Sequence, residues 1–244
     1  MRDSLTGAII AAGRGDRLRS AAAALPKPLV EVGGEALLVR QIRMMLEMGI
    51  SRVSVIINSE TDRLRQEIGL TLPAGTHLLV ADTPSSMESL LRLGDLIPPG
   101  RFLLSTVDTI LSESELHRFF DRACAIADSS HPESGFDGAL GVVPWRGDAK
   151  PLFVRLDSQS KIVEFGNDSQ KLVTASVYLF STRIFSYAAE ARAQKLDALR
   201  RYLGLLVDKG LKLAGVPMSD VVDIDEPSDL EIARRMVAMQ RGEG

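Results

Sequence analysis

The sequence predicts an α/β fold with a Rossmann-like, three-layer α/β/α architecture and a mostly parallel central sheet. In the first half of the chain, short runs rich in β-branched residues alternate with segments whose apolar residues recur at helical spacing. This alternation predicts parallel strands with helices on both faces of the sheet. In the second half, strand-like runs follow one another more closely, which predicts a β-rich insertion.

The runs of the first half define its predicted elements in chain order. Strands are expected at TGAIIAAG (6–13), RVSVIIN (52–58), THLLVAD (76–82) and RFLLSTVDTI (101–110), and helices over 37–48, 62–68, 86–97 and 112–127. The last of these helices is expected to begin with Ser112 as its N-cap, and Glu115 would complete a capping box.

The second half is interpreted in the same way. Strands are expected over 139–144, 172–181 and 212–218, a hairpin over 152–165 with its turn at 157–160, and helices over 182–193, 195–209 and 227–240. Pro227 stands at the first position of the last helix, where proline is favoured. The polar stretch 128–138 is expected to be a mobile loop. No repeat or low-complexity linker divides the chain, so we expect one domain over 1–244.

Composition and charge exclude several classes of function. The chain has 244 residues, of which 45% are hydrophobic and 25% charged, as is typical of soluble globular proteins. Its net charge of −3 gives no basic excess for nucleic acid, and no apolar run is long enough to span a membrane. The N-terminus lacks the layout of a signal peptide, and the single cysteine, Cys124, is typical of a reducing compartment. We therefore expect a cytoplasmic protein that binds neither nucleic acid nor membranes. The oligomeric state cannot be predicted.

The residues after the first strand, AAGRGDRL (11–18), have the character of an anion-binding loop. Small residues let backbone N–H groups approach a ligand closely, and Gly13 and Gly15 permit unusual backbone dihedrals. The third glycine of a dinucleotide fingerprint is missing, because Leu18 stands there, and no Gly-Lys-Ser/Thr follows as in a Walker A loop. A plain glycine turn is the alternative for the glycines alone.

Positive charge accompanies this loop in a chain that is acidic overall. Arg14, Arg17 and Lys27 lie in or close behind it, and Pro26 and Pro28 restrict the backbone on either side of the lysine. Because the prolines limit where Lys27 can point, this combination favours a functional role over a plain turn.

The whole stretch AAGRGDRLRSAAAALPKPLVEVGG (11–34) resembles the signature loop of the sugar-nucleotidyltransferase-like superfamily of NTP transferases. The resemblance is strongest to bacterial NDP-sugar pyrophosphorylases and small-alcohol-phosphate cytidylyltransferases. It implies a nucleotide-diphospho-sugar-transferase-like fold. It also implies transfer of an NMP from an NTP to a phosphorylated acceptor, either a sugar 1-phosphate or a small alcohol phosphate, with release of pyrophosphate and with Mg²⁺ as the cofactor.

The resemblance also assigns roles to residues of the loop. It implies that the backbone holds the base and phosphates at Ala11, Ala12, Gly13, Arg14 and Gly15. Arg17 and Lys27 would be catalytic, because they would bind the phosphates and stabilise the departing pyrophosphate.

Two further stretches resemble the metal-binding elements of the superfamily. Asp108, at the end of LLSTVDTI, stands where relatives carry a Mg²⁺-binding aspartate, although Val107 replaces the usual glycine before it. The segment VVDIDEPSDL (221–230) resembles the second element, with Val221 in place of a tryptophan. Its two candidates, Asp223 and Asp225, alternate along an extended segment and should point to opposite sides. Relatives use one position or the other, and Asp225 is favoured here. The alternative is that Asp108 only caps the turn that follows the strand.

A polar loop that opens a helix is the candidate for contacts to the base or ribose. By the resemblance, Ser85, Ser86 and Ser89 would make these contacts. For Ser85 and Ser86, simple N-capping of the helix is an equal alternative.

The second half resembles the acceptor half of the superfamily. Relatives have a similar hairpin followed by a Gly-Ile-Tyr/Phe strand, and Ala175-Ser176-Val177-Tyr178 stands there in this chain. The candidate acceptor-binding residues are Lys150, Glu164 and Lys171, but the lysines could equally be surface residues, and Glu164 could pair across the hairpin. Relatives often carry a lysine where this chain has Asn167. The resemblance thus divides the domain into a nucleotide-binding half (1–138), an acceptor-binding half (139–220) and a segment with a metal ligand and the last helix (221–244).

Two alternatives to the transferase hypothesis stay open. Because of the departures at Val107, Val221 and Asn167, a non-catalytic protein that binds nucleotides or nucleotide sugars could have the same fold. A nucleotidyl donor of the molybdenum-cofactor type uses a similar opening loop, but the hairpin fits it less well. The sequence identifies neither the base nor the acceptor.

Overall fold

A computed structural model describes residues 5–13, 15, 25–127, 135–147, 151–240 and 242. Three of the predicted site residues, Arg14, Arg17 and Lys150, lie outside the described residues, as does most of the predicted loop (128–134).

The helices and strands are numbered here in chain order. The strands are β1 (Thr6–Ala11), β2 (Glu31–Val32), β3 (Glu35–Ala36), β4 (Arg52–Ile57), β5 (Thr76–Val80), β6 (Arg101–Thr106), β7 (Thr109–Leu111), β8 (Gly138–Pro144), β9 (Phe153–Leu156), β10 (Ile162–Phe165), β11 (Leu172–Ser181), β12 (Leu213–Pro217) and β13 (Val221–Asp223). The α-helices are α1 (Leu37–Glu47), α2 (Ser59–Glu67), α3 (Ser86–Gly94), α4 (Glu113–Ala127), α5 (Ala188–Ala193), α6 (Leu199–Asp208) and α7 (Pro227–Gln240), and short 3₁₀ helices cover Lys27–Leu29 and Thr182–Tyr187.

The main sheet joins a parallel half to a mixed half, in which β8, β9, β10 and β11 pair antiparallel and β12 pairs parallel with β8. Strands β5, β4, β1 and β6 lie side by side in that order and run parallel. Strand β11 pairs antiparallel with β6, β8 lies along the other side of β11, and β12 pairs with β8. The β9–β10 hairpin pairs with the first residues of β11. The predicted α/β class is confirmed, with the β-rich insertion in the second half.

The carboxyl end of β1 is the place where this sheet is expected to bind a ligand. The chain leaves β1 to build β4 and β5 on one side and returns to place β6 on the other. Loops therefore diverge beyond the end of β1, and such a switch point opens a crevice in doubly wound sheets.

Apolar residues cover both faces of the sheet. Along β1, Ile9 packs into a core that includes α1 and α4, whereas its neighbour Ile10 packs into a second core that includes α3 and α6. Successive strand residues point to opposite faces, so the buried run of β1 supplies both cores. This gives the three layers that the sequence predicts. None of the helices in the described part of the chain combines the length and hydropathy that a membrane crossing requires.

Some local predictions need correction. The strand predicted over 101–110 is two strands, β6 and β7, and Asp108 lies in the turn between them. The capping box at α4 is half formed: Ser112 accepts a hydrogen bond from the Glu115 N–H at 3.0 Å, but the Glu115 carboxylate does not return it. Glu115 is buried, and it accepts instead from the N–H and hydroxyl of Ser219, because this tertiary contact satisfies two donors at once.

The helices predicted over 182–193 and 195–209 are shorter than expected. The first begins as the 3₁₀ turn Thr182–Tyr187, and the second begins only at Leu199. Ala198 before it is extended, and the hydroxyl of Ser86 accepts the Leu199 N–H at 3.0 Å. Ser86 therefore satisfies one of the N–H groups that the first turn of a helix leaves without an intrahelical partner.

Candidate active site

An asparagine at the end of β4 holds the loop that follows β1. Asn58 is buried and caps α2, because its side-chain oxygen accepts the Thr61 N–H at 2.8 Å. Its amide nitrogen donates to the carbonyl oxygens of Ala12, at 3.2 Å, and Gly13, at 3.5 Å. One side chain thus connects the ends of the two adjacent parallel strands. The path of the loop's backbone is therefore fixed where it leaves the sheet.

Gly15 adopts a backbone conformation that favours glycine, as the loop motif implied. Its φ is +62°, a left-handed conformation that is unfavourable for other residues. A Cβ atom at this position would lie 3.1 Å from Cβ of Lys27. The tight turn therefore packs directly against the lysine, and the two parts of the signature loop are in contact.

Lys27 bridges two of the predicted metal-binding aspartates. It lies in the 3₁₀ helix between Pro26 and Pro28, and its Nζ atom is 3.1 Å from both Asp108 Oδ2 and Asp225 Oδ1. Burial alone would lower the pKa of Lys27, but the two carboxylates outweigh it and raise the pKa above its usual value. The lysine is therefore a fixed cation in this site.

A short two-stranded ribbon fixes the distance between the aspartates. Strands β7 and β13 pair antiparallel, and the Asp108 carbonyl accepts the Ile224 N–H at 3.0 Å. The carboxylate of Asp229 accepts the N–H groups of Asp225 and Glu226 at 2.9 and 2.7 Å, where α7 begins. Asp229 therefore caps the last helix, and in doing so it holds the segment that carries Asp225.

Asp223 faces different partners from Asp225. Its Oδ2 accepts a hydrogen bond from the hydroxyl of Ser176 at 3.0 Å. Desolvation by the cleft walls, together with the nearby charge of Asp108, raises the pKa of Asp223 to about 7. The residue nevertheless keeps an exposed side toward the cleft. Both aspartates line the same cleft, so the expectation that they point to opposite sides is wrong: residues two positions apart on an extended segment share a face. Their carboxylates contact different partners, since β13 ends at Asp223 and Asp225 lies beyond it.

The three aspartates, Asp108, Asp223 and Asp225, lie along one open cleft of about 670 Å³. Its walls come from the turn after β6, from β8 and β11, from the start of α6 and from the segment 221–232. The lining residues that bear on function are Ser86, Thr106, Asp108, Arg146, Thr174, Ser176, Tyr178, Arg200, Asp223 and Asp225. Among the described residues, the lining carries two cations, Arg146 and Arg200, and five carboxylates, Asp108, Asp223, Asp225, Glu226 and Asp229. A ligand with phosphate groups therefore needs a countercharge in this cleft.

The structure gives each of the three predicted serines an internal partner. Ser85 caps α3 by accepting the Glu88 N–H at 3.1 Å, and Ser86 accepts the Leu199 N–H while lining the cleft. Ser89 is buried, and its hydroxyl bonds to Thr83 and to the Ser85 carbonyl. Ser85 is therefore the N-cap of α3, which is the alternative that the sequence left open. Contacts of the three serines to a nucleotide stay a prediction.

The described acceptor candidates are paired at the surface. Glu164 accepts a hydrogen bond from Arg155 across the β9–β10 hairpin at 3.0 Å, which is the alternative that the sequence left open. Lys171 contacts Asp168 at 2.6 Å, and its Nζ atom lies over the rings of Trp145 and Phe153. Neither Glu164 nor Lys171 lines the cleft described above. Their roles toward an acceptor stay predictions.

Sequence reasoning missed two residues of the site. The capping role of Asn58 is recognisable, since an asparagine between a β-branched run and an acidic helix start predicts an N-cap. Its second role, the hydrogen bonds to Ala12 and Gly13, cannot be predicted from a local pattern. Ser176 carries no signal, because its position depends on a bulge in β11.

The donor atoms of the site fit a magnesium ion. Asp108 and Asp225 supply carboxylate oxygens on either side of one point, and Mg²⁺ is bound in proteins by one or two carboxylates together with waters and substrate phosphates. Within the described ranges, no cluster of three or more His, Cys, Asp or Glu side chains forms a complete cage for a metal. The arrangement therefore suits a metal that shares its ligands with a bound phosphate.

The fold and this site define a nucleotide-handling α/β protein, and the family model makes the class specific. Residues 7–204 match the model of the MobA-like NTP transferase domain, and the chain belongs to that family. The predicted membership of the NTP transferase superfamily is confirmed.

Solved structures of similar fold include two CTP-dependent transferases. The inositol-1-phosphate CTP transferase from T. maritima has a TM-score of 0.80 at 20% identity, covering 99% of each chain. The CTP:phosphocholine cytidylyltransferase from Streptococcus pneumoniae has a TM-score of 0.70 at 17% identity, covering 96% of this chain and 99% of that one. At these identities the likeness establishes the fold.

A curated relative is similar in sequence over most of this chain. The bifunctional protein GlmU of Methanocaldococcus jannaschii is 23% identical over 219 residues, which are 85% of this chain and 49% of that protein. The chain thus spans about half the length of this relative.

Proposed function

We propose that the protein transfers an NMP group from a nucleoside triphosphate to a phosphorylated small molecule and releases pyrophosphate. One observation carries the proposal: at the ligand-binding edge of the sheet, Lys27 lies 3.1 Å from both Asp108 and Asp225. The glycine turn at Gly15 packs against the same lysine. Membership of the NTP transferase family supports an NTP as the donor.

The reaction needs positioning and charge stabilisation more than covalent chemistry. An oxygen of the acceptor phosphate attacks the α-phosphorus of the triphosphate, and a new P–O bond forms as the bond to pyrophosphate breaks. The backbone of residues 11–15 holds the phosphates. Lys27 exchanges its carboxylate partners for phosphate oxygens and stabilises the negative charge that develops on them. Arg17 is proposed to help bind the departing pyrophosphate.

Mg²⁺ is the proposed cofactor, with Asp108 and Asp225 as its ligands. When bound, the ion would neutralise charge on the phosphates of the donor. The chain's own contribution is geometric: the β7–β13 ribbon and Asp229 hold the two carboxylates on either side of one point. Asp223 is directed toward Ser176 instead, so Asp225 is the better second ligand.

The acceptor is proposed to be a sugar phosphate or a small alcohol phosphate. This proposal is supported by the names of the fold neighbours, which act on inositol 1-phosphate and on phosphocholine. The cleft is large enough for such a molecule beside a nucleotide. A cytoplasmic site of action is proposed as well, supported by the presence of a single cysteine, Cys124, in the chain.

The test is pyrophosphate release with Mg²⁺ and each of CTP, UTP, dTTP, GTP and ATP, against pools of sugar phosphates and small alcohol phosphates. Release that requires one triphosphate, one pool and Mg²⁺ is the expected result, and dividing the pool then names the acceptor. Triphosphate binding without release from any pair would contradict the transferase and favour the nucleotide-binding alternative.

A further inference from the structure

Two threonines flank Asp108 in the turn between β6 and β7. Thr106 is the last residue of β6, and Thr109 is the first residue of β7. The Thr106 hydroxyl donates to Asp108 Oδ1 at 2.5 Å, and the hydroxyl oxygens of the two threonines are 3.0 Å apart. A carboxylate can only accept, and each hydroxyl has one proton, so Thr109 donates to Thr106 and Thr106 donates to Asp108. The two hydroxyls form a chain of hydrogen bonds that ends on one carboxylate oxygen.

Buried groups hold this chain in place from behind. Thr109 is fully buried, and the side-chain amide of Gln41, on α1, donates to its carbonyl oxygen. Gln41 is buried as well, and the buried hydroxyl of Ser105 lies 3.4 Å from its side-chain oxygen. Buried polar side chains that find their partners stabilise one arrangement. The threonine pair is therefore attached to the core.

The two oxygens of Asp108 face different partners. Oδ1 accepts from Thr106, whereas Oδ2 lies 3.1 Å from the Lys27 Nζ atom, which also contacts Asp225. The hydrogen bond from Thr106 thus fixes the rotation of the carboxylate about its Cβ–Cγ bond. Only Oδ2 is directed toward the point that lies between the two aspartates, so Asp108 presents one oxygen there.

A carboxylate that presents one oxygen suits a small, strictly octahedral ion. Mg²⁺ is bound at about 2.0–2.1 Å by one or two carboxylates, and it keeps several waters or phosphate oxygens as its other ligands. Ca²⁺ takes about six to eight oxygens at about 2.3–2.6 Å, and it often uses both oxygens of one carboxylate. Fixing the rotation of Asp108 therefore disfavours Ca²⁺ more than Mg²⁺.

We propose that Thr106 is a positioning residue that makes the site selective for Mg²⁺ over Ca²⁺, because it holds Oδ1 of Asp108 away from the metal. The inference rests on the proposed function, in which Asp108 and Asp225 are ligands of Mg²⁺. It adds a residue that contacts neither the metal nor the reacting phosphates and acts through the orientation of a ligand.

Other groups that line the cleft also carry oxygens, among them Asp223, Glu226 and Tyr178. They stay unchanged in every variant of the test, so differences between variants isolate the effect of Thr106. Thr106 itself lines the cleft, and direct contact of its hydroxyl with a substrate is the competing explanation. Metal affinities and substrate KM values distinguish the two.

The test compares Thr106→Val, which removes the hydroxyl and keeps the shape, with Thr106→Ser, which keeps the hydroxyl. Thr76→Val is the matched control: Thr76 is half-buried like Thr106, its hydroxyl donates to the Pro73 carbonyl at 2.6 Å, and it lies on β5 outside the cleft lining. Each substitution is made in the parent and in Lys27→Met, which removes the ammonium that competes with a metal for the two aspartates.

Calorimetric titration with Mg²⁺ and with Ca²⁺ gives a Kd for each ion. Thr106→Val should raise the Kd for Mg²⁺ about tenfold, as is typical when a group that orients a metal ligand is lost. The Kd for Ca²⁺ should rise less than about twofold, because a released Asp108 can turn both oxygens to the larger ion. Thr106→Ser and Thr76→Val should keep the ratio of the two Kd values within about twofold of their background.

Equal changes of both Kd values in Thr106→Val, or no binding of either ion in any variant, would overturn the inference. A raised KM for the triphosphate or the acceptor with an unchanged Kd ratio would make Thr106 a substrate contact, and would overturn it too. Thermal unfolding verifies folding, and Thr106→Ala replaces Thr106→Val if the valine variant is unfolded.

The titrations do not depend on turnover, so they separate this inference from the proposed function. A shifted Kd ratio without pyrophosphate release from any pair of substrates would support the role of Thr106 and contradict the transferase. Mg²⁺-dependent release by the parent with an unshifted ratio in Thr106→Val would support the transferase and overturn the role of Thr106.

Discussion

Asp225 and Asp223 are two positions apart on one segment, yet their surroundings differ in kind. Asp225 shares the ammonium of Lys27 with Asp108, so its corner of the cleft is an ion-paired cluster. Asp223 accepts from the neutral hydroxyl of Ser176 instead of sharing the lysine. Strand β13 ends at Asp223, so Asp225 lies on the chain beyond the strand and its carboxylate can contact a different partner. On the proposed function, the ion-paired corner would take the phosphates and the metal ion.

The largest effect is expected at the ion-paired corner. Asp108→Asn should lower turnover by at least about 10²- to 10³-fold, because it removes charge from the proposed metal site at the reacting phosphate. The measurement is pyrophosphate release, with circular dichroism to verify folding. Asp208→Asn, at the exposed end of α6, is the control and should keep parental activity. Parental turnover in Asp108→Asn would remove Asp108 from the mechanism.

Loss of the bridging cation should have the next largest effect. Lys27→Met leaves Asp108 and Asp225 without their shared cation, and turnover should fall about 10²-fold. The two carboxylates then repel each other, so added Mg²⁺ should raise the Tm of Lys27→Met more than that of the parent. Lys209→Met, which breaks a surface pair with Glu190, is the matched control. An equal response of Lys27→Met and the parent to Mg²⁺ would mean that the pair does not bind the ion.

A smaller effect is expected where Asn58 holds the opening loop. Asn58→Asp keeps the oxygen that caps α2 but replaces the N–H₂ that donates to Ala12 with an oxygen that repels the carbonyl. The triphosphate KM should rise about tenfold with α2 intact, whereas Asn58→Ala should also lose about 1 kcal/mol of stability from the cap. Kinetics and urea unfolding of both variants separate the two roles. An unchanged triphosphate KM in Asn58→Asp would show that the loop needs no such support.

The smallest effect concerns the pH dependence of stability at the other corner. The pKa of Asp223 is raised from 3.8 to about 7, so the folded protein binds more protons than the unfolded chain between these values. The contribution of this group to stability is therefore present below about pH 4 and is lost as the pH rises through 7. Asp223→Asn removes the titrating group, so it should raise the Tm more at pH 8 than at pH 5, in EDTA.

Asp225→Asn is the matched control for that experiment. It deprives Lys27 of one of its two partners, so its Tm should be lower than that of the parent at both pH values. If Asp223→Asn changed the Tm equally at pH 5 and pH 8, the account of its surroundings would be wrong.

The sequence was sufficient for the fold class and for the signature loop. Alternation of strand and helix patterns predicted the parallel half, and the Pro-Lys-Pro stretch predicted a lysine of restricted direction. Each of these signals is local, since it depends on residues next to one another in the chain. The antiparallel placement of β11 between β6 and β8 was not predicted, because strand order depends on contacts between distant segments.

The details of the site were less predictable, for a related reason. Lys27 bridges Asp108 and Asp225, which lie 81 and 198 residues further along the chain. No local pattern predicts that such distant segments meet at one lysine. The redirection of Glu115 to Ser219 is likewise a tertiary contact that overrides a local capping motif. No glycine, proline or asparagine near Ser176 predicts the bulge from the sequence.

The central claim is the transfer itself, and ³¹P NMR of the complete reaction tests it most directly. The parent protein with Mg²⁺, the triphosphate and the acceptor should convert both substrates into pyrophosphate and a new diphosphate ester in equal amounts, while Asp108→Asn should leave them unchanged. Persistence of the triphosphate with every acceptor, or its conversion to the free monophosphate with no ester formed, would contradict the account.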